Sequence, residues 1–379
     1  MNILFITPSY KPAYIYGGPV VVIARLAESL VKLGHSVTVY TTTANGKEEL
    51  PVVLNQATTV DGVRVFYFAR ITKDHTHISV ALWKQLRKYI RDFEVVHIHS
   101  WWNLLAMGAA YICMQKGVVP VLSPHGMFSR YILQTNNSGV KKILHNVIGR
   151  KLLSKTILHV STSMELRESR EIIPGWQGKV IPNLVSLSPS SFERKRNDVF
   201  TIGFLSRIDP KKGLDILLKA VSQVSFPYRL LVAGSGEETY IQSLHQLAKE
   251  LEIEENIEWV GWKKGSEKFD YLAGLDLFAL ISHSENFAIV VIESLSVGTP
   301  VLISDQVGLL EYVSNHDFGW ITTTDVATVT KTVTTIYNDK QKREAIQTKA
   351  PAVIADEFDD EKLTEEYIAL YNEYRHIWN

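Results

Sequence analysis

Short runs of β-branched and aromatic residues alternate along this chain with longer stretches whose apolar positions recur at helical spacing. In the first half, strands are predicted at Ile3–Thr7, Ser36–Thr41, Val63–Phe68, Val95–His99, Val119–Ser123, Ile157–Val160 and Lys179–Ile181. Amphipathic helices are predicted between several of them, over Val20–Leu33, Val80–Arg91 and Leu104–Lys116. Apolar strands alternating with helices indicate βαβ units and a largely parallel sheet buried on both faces. A polar interval, Ser186–Asp198 (SLSPSSFERKRND), breaks the pattern and reads as a linker. The rhythm restarts with Phe200–Leu205, Tyr228–Ala233, Ile257–Val260, Leu277–Ile281 and Pro300–Ser304. The expected fold is α/β, with two Rossmann-like doubly wound parallel-sheet domains over 1–185 and 199–358. Ligands of such sheets sit beyond the carboxyl ends of the strands, so two such domains facing each other are expected to bind in the cleft between them.

A chain of 379 residues suits two domains of ordinary size. Its 46% apolar and 21% charged residues describe a soluble globular protein. The 40 Lys and Arg balance the 40 Asp and Glu, which removes the bulk attraction that would mark a nucleic-acid partner. Cys113 is the only cysteine, so no intrachain disulfide forms. The opening MNILFITPSY begins as a strand and lacks the basic and long apolar regions of a signal peptide. No stretch approaches the roughly 18 apolar residues needed to span a bilayer. The expected location is cytoplasmic, with a peripheral position at the inner face of the membrane as the variant.

Several constellations carry candidate chemistry. Gly17-Gly18-Pro19 follows the first strand and opens the first helix, where glycines let backbone N–H groups approach an anion at the positive end of the helix dipole; ordinary loop chemistry is the competing reading. The stricter GxGxxG fingerprint of a dehydrogenase is missing. Arg207 and Lys212 flank the turn SRIDPKKG at the carboxyl end of the first strand of the second half, where a diphosphate would meet both cations and helix N–H groups. The alternative is two solvated charges beside a Pro turn, with Lys211 expected to be the solvated one. In SENFAIVVIESLSVGTPV, Glu285 precedes an apolar helix and Glu293 lies on its second turn. A carboxylate on such a helix needs partners, either the hydroxyls of a ribose or a buried cation. His125, in SPHGMF, stands at the carboxyl end of a first-half strand, facing the expected cleft; a structural histidine is the competing reading.

The pairs His97/His99 and His75/His77 have the spacing that puts both side chains on one strand face. Neither has Cys or carboxylate neighbours in a ligand pattern, and no Asp-x-Asp loop is present, so no metal and no other cofactor is expected. The positive charge at the site is expected from Arg207, Lys212 and helix N-termini.

Taken together, these residues resemble the retaining glycosyltransferases of family 4 (the group 1 glycosyl transferases), and the resemblance spans essentially the whole chain. It rests on Gly17-Gly18, His125-Gly126, Ile181-Pro182-Asn183, SRIDPKKG, and the run from Glu285 to Glu293 closed by Gly298–Val301. It implies the two-domain GT-B architecture, with a C-terminal helix (360–379) crossing back onto the first domain. It implies that Arg207 and Lys212 bind the donor diphosphate, Glu293 the nucleotide ribose, and Glu285 the donor sugar. Asn286 and the Phe287, Ala288 and Ile289 backbone would approach sugar and phosphates, His125 the donor sugar, and Gly17 and Gly18 the phosphates and acceptor. The co-substrate implied is a nucleoside diphosphate sugar, UDP in preference to GDP. The acceptor implied is a glycan or lipid-linked molecule, as in cell-surface polysaccharide biosynthesis. Two departures stand out: Leu184-Val185-Ser186 replaces a frequent Gly-Val-Asp, and Ala288 stands where Gly is common.

The acceptor side is less legible. The basic amphipathic segment 140–155 (VKKILHNVIGRKLLSK) suits anionic lipid, or simply packs its apolar side on the core. Trp101 and Trp102 either line an acceptor cleft or pack, and Trp262 lies where the family receives the base. A sugar-nucleotide epimerase of the same fold and a non-catalytic two-lobed sugar-binding protein are the rival readings. SRIDPKKG and the glutamate spacing favour transfer over epimerisation, and the expected lack of a signal peptide argues against the binding protein, a class that is usually exported.

Overall fold

A computed structural model describes residues 1–134, 138–188 and 197–374. The middle of the expected linker (189–196) and the last residues of the expected C-terminal helix (375–379) lie outside them. The chain divides into two compact units: Met1–Leu184 with the segment from Asp359 onward, and Val185–Phe358.

The strands of the first unit are β1 (Asn2–Ile6), β2 (Ser36–Thr42), the small antiparallel pair β3 (Ala44–Asn45) and β4 (Glu48–Glu49), β5 (Ala57–Val60), β6 (Val63–Phe68), β7 (Val95–His99), β8 (Val121–Ser123), β9 (Ile157–Val160) and β10 (Gly178–Val180). The main sheet runs β10-β9-β8-β7-β1-β2-β6-β5, and every pairing is parallel except β5 with β6. Successive strands leave β1 toward both edges, so the order reverses between β1 and β7. The interior strands are buried along nearly their whole length because helices cover both faces: the burial of β1 and β7 is continuous rather than alternating.

The second unit holds β11 (Phe200–Leu205), β12 (Tyr228–Ala233), β13 (Ile257–Trp259), β14 (Leu277–Leu280), β15 (Val301–Ser304) and β16 (Gly319–Thr322). Its order, β13-β12-β11-β14-β15-β16, is all parallel and reverses between β11 and β14.

Besides the two-residue strands β3 and β4, two strands escaped the sequence pattern. β5 (ATTV) is an edge strand that buries none of its residues fully. β16 (GWIT) opens on Gly319, where a Cβ would overlap the Val301 carbonyl oxygen of the neighbouring strand. That approach explains a glycine where a strand-former is expected. The first helix starts at Gly18, two residues before the apolar periodicity, with Pro19 in its first turn. The helix Asp360–Tyr374 buries Leu363, Tyr367, Leu370 and Tyr371 in the first unit. Arg25 pairs with Asp360 at 2.7 Å, and the Thr364 and Ser29 hydroxyls bond at 2.8 Å, which fixes it against the helix Gly18–Lys32.

Candidate active site

In the second unit, two loops leave the sheet on either side of its switch point. The chain after β11 makes the turn Pro210–Lys212, capped by the Asp209 carboxylate, which accepts from the Lys211 N–H at 2.9 Å. Gly213 follows in the left-handed region (φ 65°), and a Cβ there would overlap the Ile281 carbonyl oxygen at the end of β14. The His283 N–H donates to the Lys211 carbonyl at 2.8 Å, so the loop after β14 is seated on the turn after β11. The loop is fixed on its other side too. The Glu285 N–H donates to the Gln306 carbonyl at 3.0 Å, and the Gly308 N–H to the Glu285 carbonyl at 2.8 Å.

These backbone contacts bring Lys212 and Glu285 together: Nζ and Oε2 form an ion pair with 12% and 20% of the side chains exposed. Lys211, expected to be the solvated cation, is instead half-buried. Burial holds its ammonium below the ordinary value; Glu285 opposes that shift, and Lys212 and Arg207 add to it. The reason is Gly213, which lets the turn pack down on β14 and carries Lys211 with it. Arg207 is exposed, with no ion-pair partner among the described residues. Three cations and two carboxylates, Asp209 and Glu285, therefore share the carboxyl ends of β11 and β14, the position at which doubly wound sheets bind their ligands.

Asn286 and Phe287 lead to Ala288, which adopts a left-handed conformation (φ 58°) and begins the helix Ile289–Ser296. Ala288 offers no side-chain cap, and the Val291 N–H already donates to the Ala288 carbonyl at 2.9 Å, so the N–H groups of Ile289 and Val290 are the ones that face an anion at this helix start. A left-handed alanine costs about 1–2 kcal/mol more than a glycine would in steric terms. Glu293 lies on the second turn and is 5% exposed. Its Oε1 pairs with Lys268 of the helix Gly265–Ala273. An ion pair, one of the two possibilities the sequence allowed for Glu293, is thus present, and its half-buried cation came from a residue the motif reading passed over. Trp262 is 46% exposed.

In the first unit, His97 and His99 occupy one face of β7, with ring centroids 4.1 Å apart and planes tilted by 30°. Both are buried, and burial drives both imidazoles well below their ordinary range, with the neighbouring histidines adding to the shift. His97 belongs to a hydrogen-bonded chain. Tyr371 Oη lies 2.8 Å from its Nδ1, and Ser123 Oγ 2.6 Å from its Nε2. Ser123 Oγ is 2.6 Å from His159 Nδ1, and His159 Nε2 is 3.0 Å from the Ile181 carbonyl. That carbonyl can only accept, which sets the direction of every bond in the chain: Tyr371 donates to His97, His97 to Ser123, Ser123 to His159, and His159 to Ile181. All ring nitrogens of His97 and His159 are thereby used within the protein.

His125 follows β8 at φ 52° and is half-buried, and burial lowers its imidazole to about 4. Its Nε2 is 3.1 Å from His99 Nδ1. The Gly126 N–H donates to Glu165 at 2.6 Å, and the other carboxylate oxygen accepts from the Ser161 N–H at 2.9 Å and hydroxyl at 3.1 Å. Glu165, 2% exposed, thus anchors the His125 loop. Its signal in the sequence is T-S-M-E, a capping-box pattern whose glutamate reaches this loop instead of the helix cap. Gly17 (φ 70°) ends the turn Tyr14–Tyr16, and Gly18 begins the next helix, which has no side-chain cap. Asn183 is buried, with no hydrogen-bond partner for Oδ1 among the described residues.

Trp101 is 1% exposed and belongs to the core; Trp102 donates to the Met127 carbonyl at 2.7 Å. Both pack. The basic segment forms the helix Ser138–Leu144, a π-helical turn His145–Gly149 and the helix Arg150–Leu153. Leu152 and Leu153 are buried, whereas Ile143 (66%) and Val147 (77%) face solvent among exposed Lys142, Arg150, Lys151 and Lys155. Among the described residues, no helix is long and apolar enough to cross a membrane.

Comparison with known proteins places this arrangement. Residues 16–189 match the model of Glycosyltransferase Family 4 and residues 190–353 that of Glycosyl transferases group 1. HepE of Anabaena, solved in complex with UDP, superimposes with a TM-score of 0.78 at 20% identity, covering 98% of this chain and 100% of that one. An uncharacterised glycosyltransferase of Methanocaldococcus jannaschii is 23% identical, covering 98% of both chains. The α-monoglucosyldiacylglycerol synthase of Streptococcus pneumoniae is 24% identical over 84% of this chain and 74% of its own. The fold is GT-B, two Rossmann-like parallel-sheet α/β domains. The chain belongs to glycosyltransferase family 4 and is a glycosyltransferase.

Proposed function

We propose that the chain is a retaining glycosyltransferase that takes its sugar from a nucleoside diphosphate sugar, UDP in preference to GDP. Its acceptor is a glycan or lipid-linked molecule of cell-surface polysaccharide biosynthesis. The observation that carries this reading is the cluster of Arg207, Lys211 and Lys212 around Glu285 at the switch point of the second sheet. When the bond from the anomeric carbon to the diphosphate breaks, the leaving group gains charge. Fixed cations and the uncapped N–H groups at Ile289 are placed to stabilise it, which makes no demand on a metal. The acceptor oxygen forms its bond to the anomeric carbon on the face the diphosphate leaves, and its proton passes to the departing phosphate oxygen. In this reading Glu285 positions the sugar, Glu293 holds the ribose with Lys268 behind it, and His125 serves the donor sugar. Gly17 and Gly18 serve the phosphates and acceptor, and Asn286 to Ile289 line sugar and phosphates.

The complex of HepE with UDP supports the choice of base, and the name of the pneumococcal relative supports a lipid acceptor. The exposed Ile143 and Val147, ringed by cations, support peripheral contact of a cytoplasmic enzyme with anionic lipid. Thermal shift with UDP, GDP and their sugars tests the donor, because a ligand that binds the native state raises its melting point. NMR of the transferred sugar then tests the stereochemistry. No shift with any nucleotide sugar, or an inverted anomer, overturns the reading.

A further inference from the structure

The contact between His99 and His125 has a handedness that the rest of the site does not explain. Their rings lie within 16° of one plane, with centroids 5.4 Å apart and Nδ1 to Nε2 at 3.1 Å. That is an edge-to-edge arrangement, suited to a ring N–H pointing at a ring nitrogen; the 4.1 Å separation of His97 and His99 is the face-to-face one. One proton lies between the two rings, and only two placements exist. If His125 donates from Nε2, His99 must accept at Nδ1 and carry its own proton on Nε2. That nitrogen is buried, with no hydrogen-bond partner among the described residues. Orphaned buried N–H groups are rare in native structures, rarer than unpartnered acceptors, although the buried Trp101 Nε1 is one here. If His99 donates from Nδ1, only an unprotonated nitrogen is left without a partner.

We propose that His99 is a positioning residue that donates its Nδ1 proton to His125 Nε2 and so fixes His125 with its own proton on Nδ1. His125 Nδ1 has no hydrogen-bond partner among the described residues, and it is the ring atom left to meet a ligand. The loop histidine then presents a donor and no acceptor, the polarity suited to a sugar hydroxyl oxygen or a departing oxygen. The two neighbours that could disturb this arrangement are both committed elsewhere. His97 is saturated by Tyr371 and Ser123, and Glu165 by Gly126 and Ser161. The role at the sugar rests on the functional reading above; the proton assignment does not.

The test is long-range ¹H–¹⁵N correlation on the full chain with ¹⁵N-labelled histidine, His125 being assigned by the signals lost in His125→Gln. The expected result is a protonated Nδ1 and an unprotonated Nε2 for His125. In His99→Phe, which keeps the volume but loses the donor, the His125 proton is expected to move to Nε2, the form free neutral histidine prefers. His99→Gln retains an N–H donor and should restore the original form. Transfer should follow the same order: kcat falls roughly 10- to 100-fold in His99→Phe at nearly constant KM for the donor, and partly recovers in His99→Gln. A proton on Nε2 in the unaltered protein, or a tautomer indifferent to His99→Phe, overturns the proposal. If His99→Phe does not fold, the unaltered protein and His99→Gln alone decide it. A correct tautomer with full transfer in His125→Gln would instead overturn the placement of His125 at the sugar.

Discussion

Replacing Lys268 by Met removes the cation that holds the Glu293 carboxylate while keeping most of the stem that covers it. Breaking a fully buried ion pair costs about 3–5 kcal/mol, because the remaining charge is left without compensation. Lys268 keeps 22% of its side chain exposed and Glu293 only 7%, so water relieves part of that penalty. A loss of about 2–3 kcal/mol follows. For a unit of this size it corresponds to a fall of roughly 5–10 °C in melting temperature. The Lys268→Met/Glu293→Gln double variant removes both charges and should recover most of the loss, so the cycle reports a coupling of similar size. Calorimetric titration with UDP separates structure from binding. Glu293→Gln, whether alone or beside Lys268→Met, should weaken UDP roughly 10-fold or more by losing a charged acceptor for a ribose hydroxyl. Unchanged UDP affinity in Glu293→Gln together with full coupling to Lys268 would reduce Glu293 to a structural ion-pair partner and refute the ribose assignment. No loss of stability in Lys268→Met would refute the energetic argument itself.

Further expectations concern the loops and the histidines. Lys212→Ala should lower kcat/KM by about 10²–10³, the effect of losing one preorganised group at a developing charge. Glu285→Gln should slow transfer while leaving UDP affinity unchanged or tighter, since Lys212 is freed from its partner; weaker UDP binding in that variant would count against the pairing. Ala288→Gly relieves a left-handed alanine at φ 58°. The steric gain of about 1–2 kcal/mol offsets the extra chain entropy of glycine, about 0.5–1 kcal/mol, so chemical denaturation should show a gain of up to about 1.5 kcal/mol. His77 and His125 stand at about 4 and His159 at about 3 in the folded protein, each lowered chiefly by burial. Unfolded imidazoles take up protons near pH 6.5, so acid favours the unfolded chain. Stability should be full above about pH 6.5 and fall toward pH 4, at up to about 1.4 kcal/mol per pH unit for each histidine. Melting temperatures flat between pH 7 and 5 would contradict the buried, neutral histidines.

Sequence by itself determined the parts of this protein that are local. Strand and helix positions follow from side-chain periodicity, so β6, β9, β11, β12 and the helix Leu104–Lys116 fall where the pattern sets them. The turn SRIDPKKG and the helix after Glu285 were legible because glycine, proline and a carboxylate on an apolar helix each have a narrow set of physical uses. Tertiary structure alone decided which groups meet. Glu293 finds its cation 25 residues away on another helix, and His97 finds its donor, Tyr371, 274 residues away on the C-terminal one. No periodicity carries such information, because a side chain's partner depends on how the elements pack and not on its own neighbours in the chain. The same holds for Lys211, whose burial is set by the approach of Gly213 to Ile281, and for His99. Its spacing from His97 put both on one face of β7, but only the fold brought the loop of His125 within bonding distance.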